Sequence, residues 1–149
     1  MQIKQLRLVI RLAEEKRDLA AGQLASGKAQ WQLAQDQLEQ LQAYQDQYVT
    51  QAKREAQQGI SAQALFEGRR FIAELDGLII KQGHAVEQQG AVLQSLSEQW
   101  MDAARYVQAL ERLKILRTSQ QQRLQDRHEQ QLADDLYAIR NTAPNYTST

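Results

Sequence analysis

Apolar residues recur along this chain at alternating intervals of three and four, through two long stretches with hardly a break. In the first, a heptad register that opens on Ile3 puts Ile3, Ile10, Leu24, Trp31, Leu38 and Ala52 at a, with Leu6, Ala13, Ala20, Ala34, Leu41 and Tyr48 at d. Arg17, Gln45, Gly27 and Glu55 fill the four core slots left over in eight heptads. A second register opens on Ile72, with Ile79, Val86, Leu93, Trp100 and Val107 at a and Leu75, Gln82, Gln89, Leu96, Ala103 and Leu110 at d. A repeat of 3.5 sustained for so long marks a coiled-coil seam and not a single amphipathic face. Past Leu110 the core slots fall to Lys114 and Arg117, and Leu113 and Leu116 point to a shift of register there.

Between the stretches stands Gln58-Gly59-Ile60-Ser61. Gly59 suits the left-handed residue that closes a helix, and Ser61 suits the cap of the next. The pattern predicts helix 1 over about 2–57, a turn over 58–61, helix 2 over about 62–140 and a flexible tail over 141–149, with Asn141 and Pro144 marking the stop. A fold-back near residue 60 pairs position i with about 120 − i, which the sequence can test against itself. Leu24 then meets Leu96, Ile10 meets Leu110 and Ala13 meets Val107, while small faces large at Ala20 with Trp100 and Gly27 with Leu93. The expected fold is all-α, a long antiparallel two-helix coiled-coil hairpin of roughly 80 Å at about 1.5 Å per residue. Trp31 and Trp100 are seam residues in this register.

Composition agrees with the pattern. Of 149 residues, 27 are Gln and one is Pro, and strong helix formers dominate. Without cysteine there is neither a disulfide nor a thiolate metal site. Apolar runs such as Leu8-Val9-Ile10 and Leu78-Ile79-Ile80 fall far short of a membrane span. The periodic N-terminus is unlike a signal peptide, so a soluble, cytoplasmic protein is expected. Net charge is zero but unevenly placed: residues 1–17 and 105–127 hold eleven Lys/Arg against four Asp/Glu, and residues 18–104 hold six against eleven. A fold-back therefore brings two basic stretches together.

The g positions carry an excess. Gln37, Leu41, Tyr44 and Tyr48 are spaced i, i+4, i+7, i+11, as are Phe71, Leu75, Leu78 and Gln82, and both sets lie on d and g. In an antiparallel pair the two g edges share a side, so Tyr44, Phe71 and Leu78 widen the seam there. Such positions are usually polar. Either the patch is a docking surface, or residues 61–68 fold over and cover it.

Enzyme chemistry has no support: the chain lacks a Gly-rich phosphate loop, and its histidines, His84 and His128, have no metal-type partner at i+4. Pairs such as Glu14-Glu15 and Asp134-Asp135 point to different helix faces. No cofactor and no metal are expected. Nucleic-acid binding would rest on the basic stretches, which carry no stacking aromatic besides Tyr106. A membrane-surface role would need Ile3, Leu6 and Ile10, which the seam already claims.

The order and spacing of "LQAYQDQY", "GIS", "RRFIAEL", "EQW", "ALERL" and "DDLYAIR" resemble the FliJ family of the bacterial flagellar type III export apparatus. The resemblance covers most of the chain. It implies a fold similar to the central stalk of rotary ATPases. It further implies a non-enzymatic protein of flagellum biogenesis and protein export that works with three partners: the export ATPase ring, the cytoplasmic domain of the export gate FlhA, and export chaperones. Such a protein meets the inner membrane's cytoplasmic face only through its partners. By position, the family's gate-binding stripes match Gln37, Leu41, Tyr44, Tyr48, Phe71, Leu75, Leu78 and Gln82. The family also places a small residue where Leu78 stands and a histidine where Gln82 stands. The equivalent stalk of injectisome secretion systems is a close relative, and a general coiled-coil chaperone or adaptor is the alternative reading.

The rotary-stalk likeness assigns the terminal end to the ring. Residues 118 to about 140 outrun helix 1 as a lone helix, with Leu132, Leu136 and Ile139 at i, i+4, i+7 and nothing in the hairpin to cover them. Behind them lies a basic collar of Arg7, Arg11, Arg112, Lys114 and Arg117, suited to steering toward an acidic surface.

Overall fold

Two helices follow from the pattern, and in the computed structural model, which describes residues 2–142, they are α1 (Ile3–Gln58) and α2 (Ala62–Thr142). No strand occurs among the described residues. The expected tail at Pro144 lies outside them, whereas Asn141 and Thr142, expected in that tail, continue the helix. The first turn of α1 is tied by the Gln2 amide N–H, which donates to Gln5 Oε1 at 3.1 Å, half of a capping box.

The turn is built as its residue types dictate. Gly59 takes a φ of +88°, a conformation that costs a Cβ-bearing residue energy and glycine almost none. Its N–H donates to Ala56 O at 3.3 Å. Ser61 then caps α2, its Oγ accepting from the Ala64 N–H at 3.1 Å.

The helices pack against each other within two compact units, one formed by Lys16–Ala103 and the other by Met1–Glu15 with Ala104–Thr149. In the Lys16–Ala103 unit the pairing is antiparallel and follows the 120 − i rule. Gly27 lies against Leu93 and Leu96, Trp31 against Gly90, and the Gln45 carboxamide donates to Asp76. Gly27 makes room for a leucine side chain of α2: a Cβ on it would lie 2.7 Å from Leu96 Cδ1. Where the helices meet the turn, Tyr48, Val49, Ile60, Leu65 and Ile72 line an apolar pocket of about 340 Å³.

In the other unit Leu6, Ile10 and Ala13 form one cluster with Val107 and Leu110, and Val9 and Leu113 pack on its margin. Leu6 and Val107 are fully buried, each contributing ~1.5–3 kcal/mol by leaving water. The expected shift of register past Leu110 does not occur. Lys114 and Arg117 stay half-buried in their core slots while Leu116 faces solvent. Long aliphatic stems explain this, since they cover apolar surface while the charged heads reach water.

Every a and d position of the first register is buried or half-buried except Glu55. In the second only Trp100 departs, 36% exposed at the edge of the seam, while its expected partner Ala20 is buried. No polar or charged side chain is buried among the described residues. Cysteines in place of Leu24 and Leu96 should form an intramolecular disulfide on mild oxidation, read as faster migration of the monomer on a non-reducing gel. A bond found only between chains would overturn the pairing.

Candidate functional site

Each stripe predicted at d and g divides in the structure into an anchoring and an exposed part. Leu75 is 4% exposed and belongs to the seam. Leu41, Tyr48, Phe71 and Gln82 are half-buried, and Gln37, Tyr44 and Leu78 are exposed. The division follows from heptad geometry, since d points into the seam and g flanks it.

Aromatic contacts hold the patch together. The Phe71 ring packs on Tyr48 with centroids 4.6 Å apart and an interplanar angle of 54°, and meets Tyr44 edge-on at 6.4 Å and 83°. Edge-to-face geometry sets the positive ring edge against the negative face, adding ~0.5–1.5 kcal/mol per pair beyond area burial. Gly68 lies alongside, with the Tyr48 hydroxyl 3.8 Å from where its Cβ would be. Phe71 thus fixes two tyrosines of α1 from α2. Tyr44 and Leu78 still leave 51% and 52% of their surface to solvent. Residues 62–68 do not cover them: this segment is the first turns of α2, with Phe66 itself exposed.

Farther from the turn on the same side, the Gln82 Nε2 donates to Ala34 O at 2.9 Å and to Gln37 Oε1 at 3.3 Å. Gln82 therefore serves the hairpin and orients Gln37. A groove continues beyond it, lined by Gln30, Ala85 and Gln89, none of which the matched stripes include. Their heptad places can be read from the sequence, Gln30 and Ala85 at g and Gln89 at d, but those places alone do not mark them as a site.

In the terminal unit, Arg7, Arg11 and Arg112 are exposed, Lys114 and Arg117 are half-buried, and Arg117 has an interaction of its own. From Thr118 to Thr142 every residue of α2 is exposed. Leu132, Leu136 and Ile139 share one face of this segment, Leu136 at 66% exposure. Ile115, Leu124 and Tyr137 are exposed as well. They escaped a search for one stripe because they lie on other faces of the helix. Hydrogen bonds at i, i+4 brace the segment: Gln122 to Asp126, Gln125 to Glu129, Gln130 to Asp134 and Gln131 to Asp135, at 3.0–3.3 Å.

No helix among the described residues is long and apolar enough to cross a membrane. A protein-family model, described as the flagellar FliJ protein, matches residues 1–144. Comparison with curated proteins and with solved structures finds no match.

The anchoring role assigned to Phe71 can be separated from exposure. Phe71→Ala should lower unfolding stability by about 1–2 kcal/mol, through lost burial and two lost ring contacts. Leu78→Ala, at an exposed g position, should change it by less than about 0.5 kcal/mol. Urea titration of both variants checks the difference, and equal losses would refute the division.

Proposed function

The chain belongs to the FliJ family and is a component of the flagellar export apparatus, and on that premise we propose that it is a stalk linking the export ATPase ring to the export gate. The Tyr44–Phe71–Leu78 patch engages the cytoplasmic domain of the gate FlhA. The terminal unit, with its basic collar and the exposed α2 segment, engages the ring, promoting its assembly and turnover. Substrates or their chaperones are delivered through the same linkage.

The observation that carries the reading is the exposed apolar surface at g. Phe71 holds Tyr44 in place, yet Tyr44 and Leu78 remain half open to solvent. A hairpin held by a and d needs no aromatic and leucine there, and apolar side chains fixed on a rigid face are what an interface uses as anchors. For the ring contact, Leu132, Leu136 and Ile139 offer a second apolar face, farther along α2 than the five cationic residues. Burying each of the three would contribute ~1.5–3 kcal/mol before association costs. A general coiled-coil adaptor would carry the same seam but would leave the ATPase unaffected.

Two measurements test the two contacts. Tyr44→Ala combined with Leu78→Ala should weaken binding to the gate's cytoplasmic domain by at least ~2 kcal/mol, the scale of a lost hot spot, with helicity unchanged by circular dichroism. Helicity that falls together with binding would mean these side chains hold the hairpin. Deleting residues 118–149 should abolish stimulation of ATPase turnover while gate binding survives. Full stimulation by the shortened chain would put the ring contact elsewhere.

A further inference from the structure

Along the same side of the seam as the aromatic patch, α1 and α2 flank an open, shallow notch of about 290 Å³, lined by Gln30, Gln37, Gln82 and Gln89 together with Leu33, Ala34 and Ala85. Its lining holds no ionisable side chain. Gln82 is already committed, donating to Ala34 O and Gln37 Oε1. That bond occupies the carbonyl side of the Gln37 carboxamide and leaves its NH₂ to donate outward. Gln30 and Gln89 make no side-chain hydrogen bond among the described residues, so each offers an NH₂ with two donors and a carbonyl oxygen with two lone pairs.

The chemistry of the occupant follows. A carboxamide is complementary to another amide, since both carry donor and acceptor without net charge. A carboxylate or ammonium seated here would lose water without finding an opposite charge, which is costly. A polypeptide main chain carries such a donor and acceptor at nearly every residue, so a short stretch of chain can meet several carboxamides at once. Continuity with the patch places that stretch on the molecule that covers Tyr44 and Leu78. We infer that the notch extends the docking surface and receives an uncharged peptide segment of the partner, whose main-chain N–H and C=O groups pair with the carboxamides of Gln30, Gln37 and Gln89. The inference rests on the reading of the aromatic patch as the gate-binding surface.

Calorimetric titration of the full chain with the gate's cytoplasmic domain, at low and at high salt, tests it. Gln30→Ala with Gln89→Ala should raise Kd about tenfold, the equivalent of one to two neutral hydrogen bonds. The ratio to wild type should be the same at both salt concentrations, because no charge is lost. Gln30→Glu, a change at an exposed position outside the core slots, should weaken binding without touching the seam. Wild-type affinity in these variants, alongside the loss caused by Tyr44→Ala with Leu78→Ala, would overturn the notch and leave the patch standing. A ratio that shrinks at high salt would also overturn the inference, since the occupant would then be charged. Wild-type affinity in all the variants would remove the patch as the gate contact and the notch with it.

Discussion

Fitting large side chains of one helix over small residues of the other, along a narrow seam, is the constraint from which the other features follow. With no bulky core to fill, the helices can touch only if small residues face large ones, layer after layer. Gly27 admits Leu96 to within a distance no Cβ would tolerate, and Gly90 lies against the Trp31 indole. Glycine in a helix interior costs about 1 kcal/mol relative to alanine, so these positions are justified by packing and not by propensity. The buried set is correspondingly thin, with three of its eight side chains contributed by alanine. Stability is therefore spread along the length of the contact, and local features at any one height can be given to other work.

That spreading explains why the exposed aromatic surface is compatible with folding. Leu75 seals the seam beneath the patch, and Phe71 straddles the boundary, half-buried and in contact with both tyrosines. Tyr44 and Leu78 sit one step farther out, where removal opens no cavity. A rigid apolar surface of this kind loses little conformational entropy on docking, because the rings are already held. Gln82 does the same for the polar part, fixing Gln37 through a bond that the hairpin itself needs. In the proposed reading, the gate meets a surface organised before it arrives.

The helices, the turn at Gly59, the cap at Ser61 and the pairing rule were all legible in the sequence, because each rests on a periodic or stereochemical rule that a single chain displays. What escaped reading depends on the reach of individual side chains. Lys114 and Arg117 looked like a break in the register, since a heptad rule scores the charged head and ignores the stem. Trp100 looked like a core residue, yet part of an indole that size stays outside a seam built for alanine. Gln30 and Gln89 were passed over in a chain with 27 glutamines, where a neutral polar residue at d or g carries no signal by itself. Only their convergence on one notch distinguishes them.

The same abundance of glutamine bears on the segment from Thr118 onward. An exposed helix without a packing partner is marginal, because most helical stability in proteins comes from an apolar face that is buried. Here four Gln-to-Asp or Gln-to-Glu bonds at i, i+4 supply local support worth ~0.2–0.5 kcal/mol each. A neutral donor makes that support less dependent on salt than a Glu–Lys pair would be. It also frees the apolar residues of the segment from any part in holding it helical. Leu132, Leu136 and Ile139 are not needed for the fold, and an ordinary solvated helix would carry polar residues there. Their presence on a segment braced by other means is the physical reason to read that face as a surface meant for another protein.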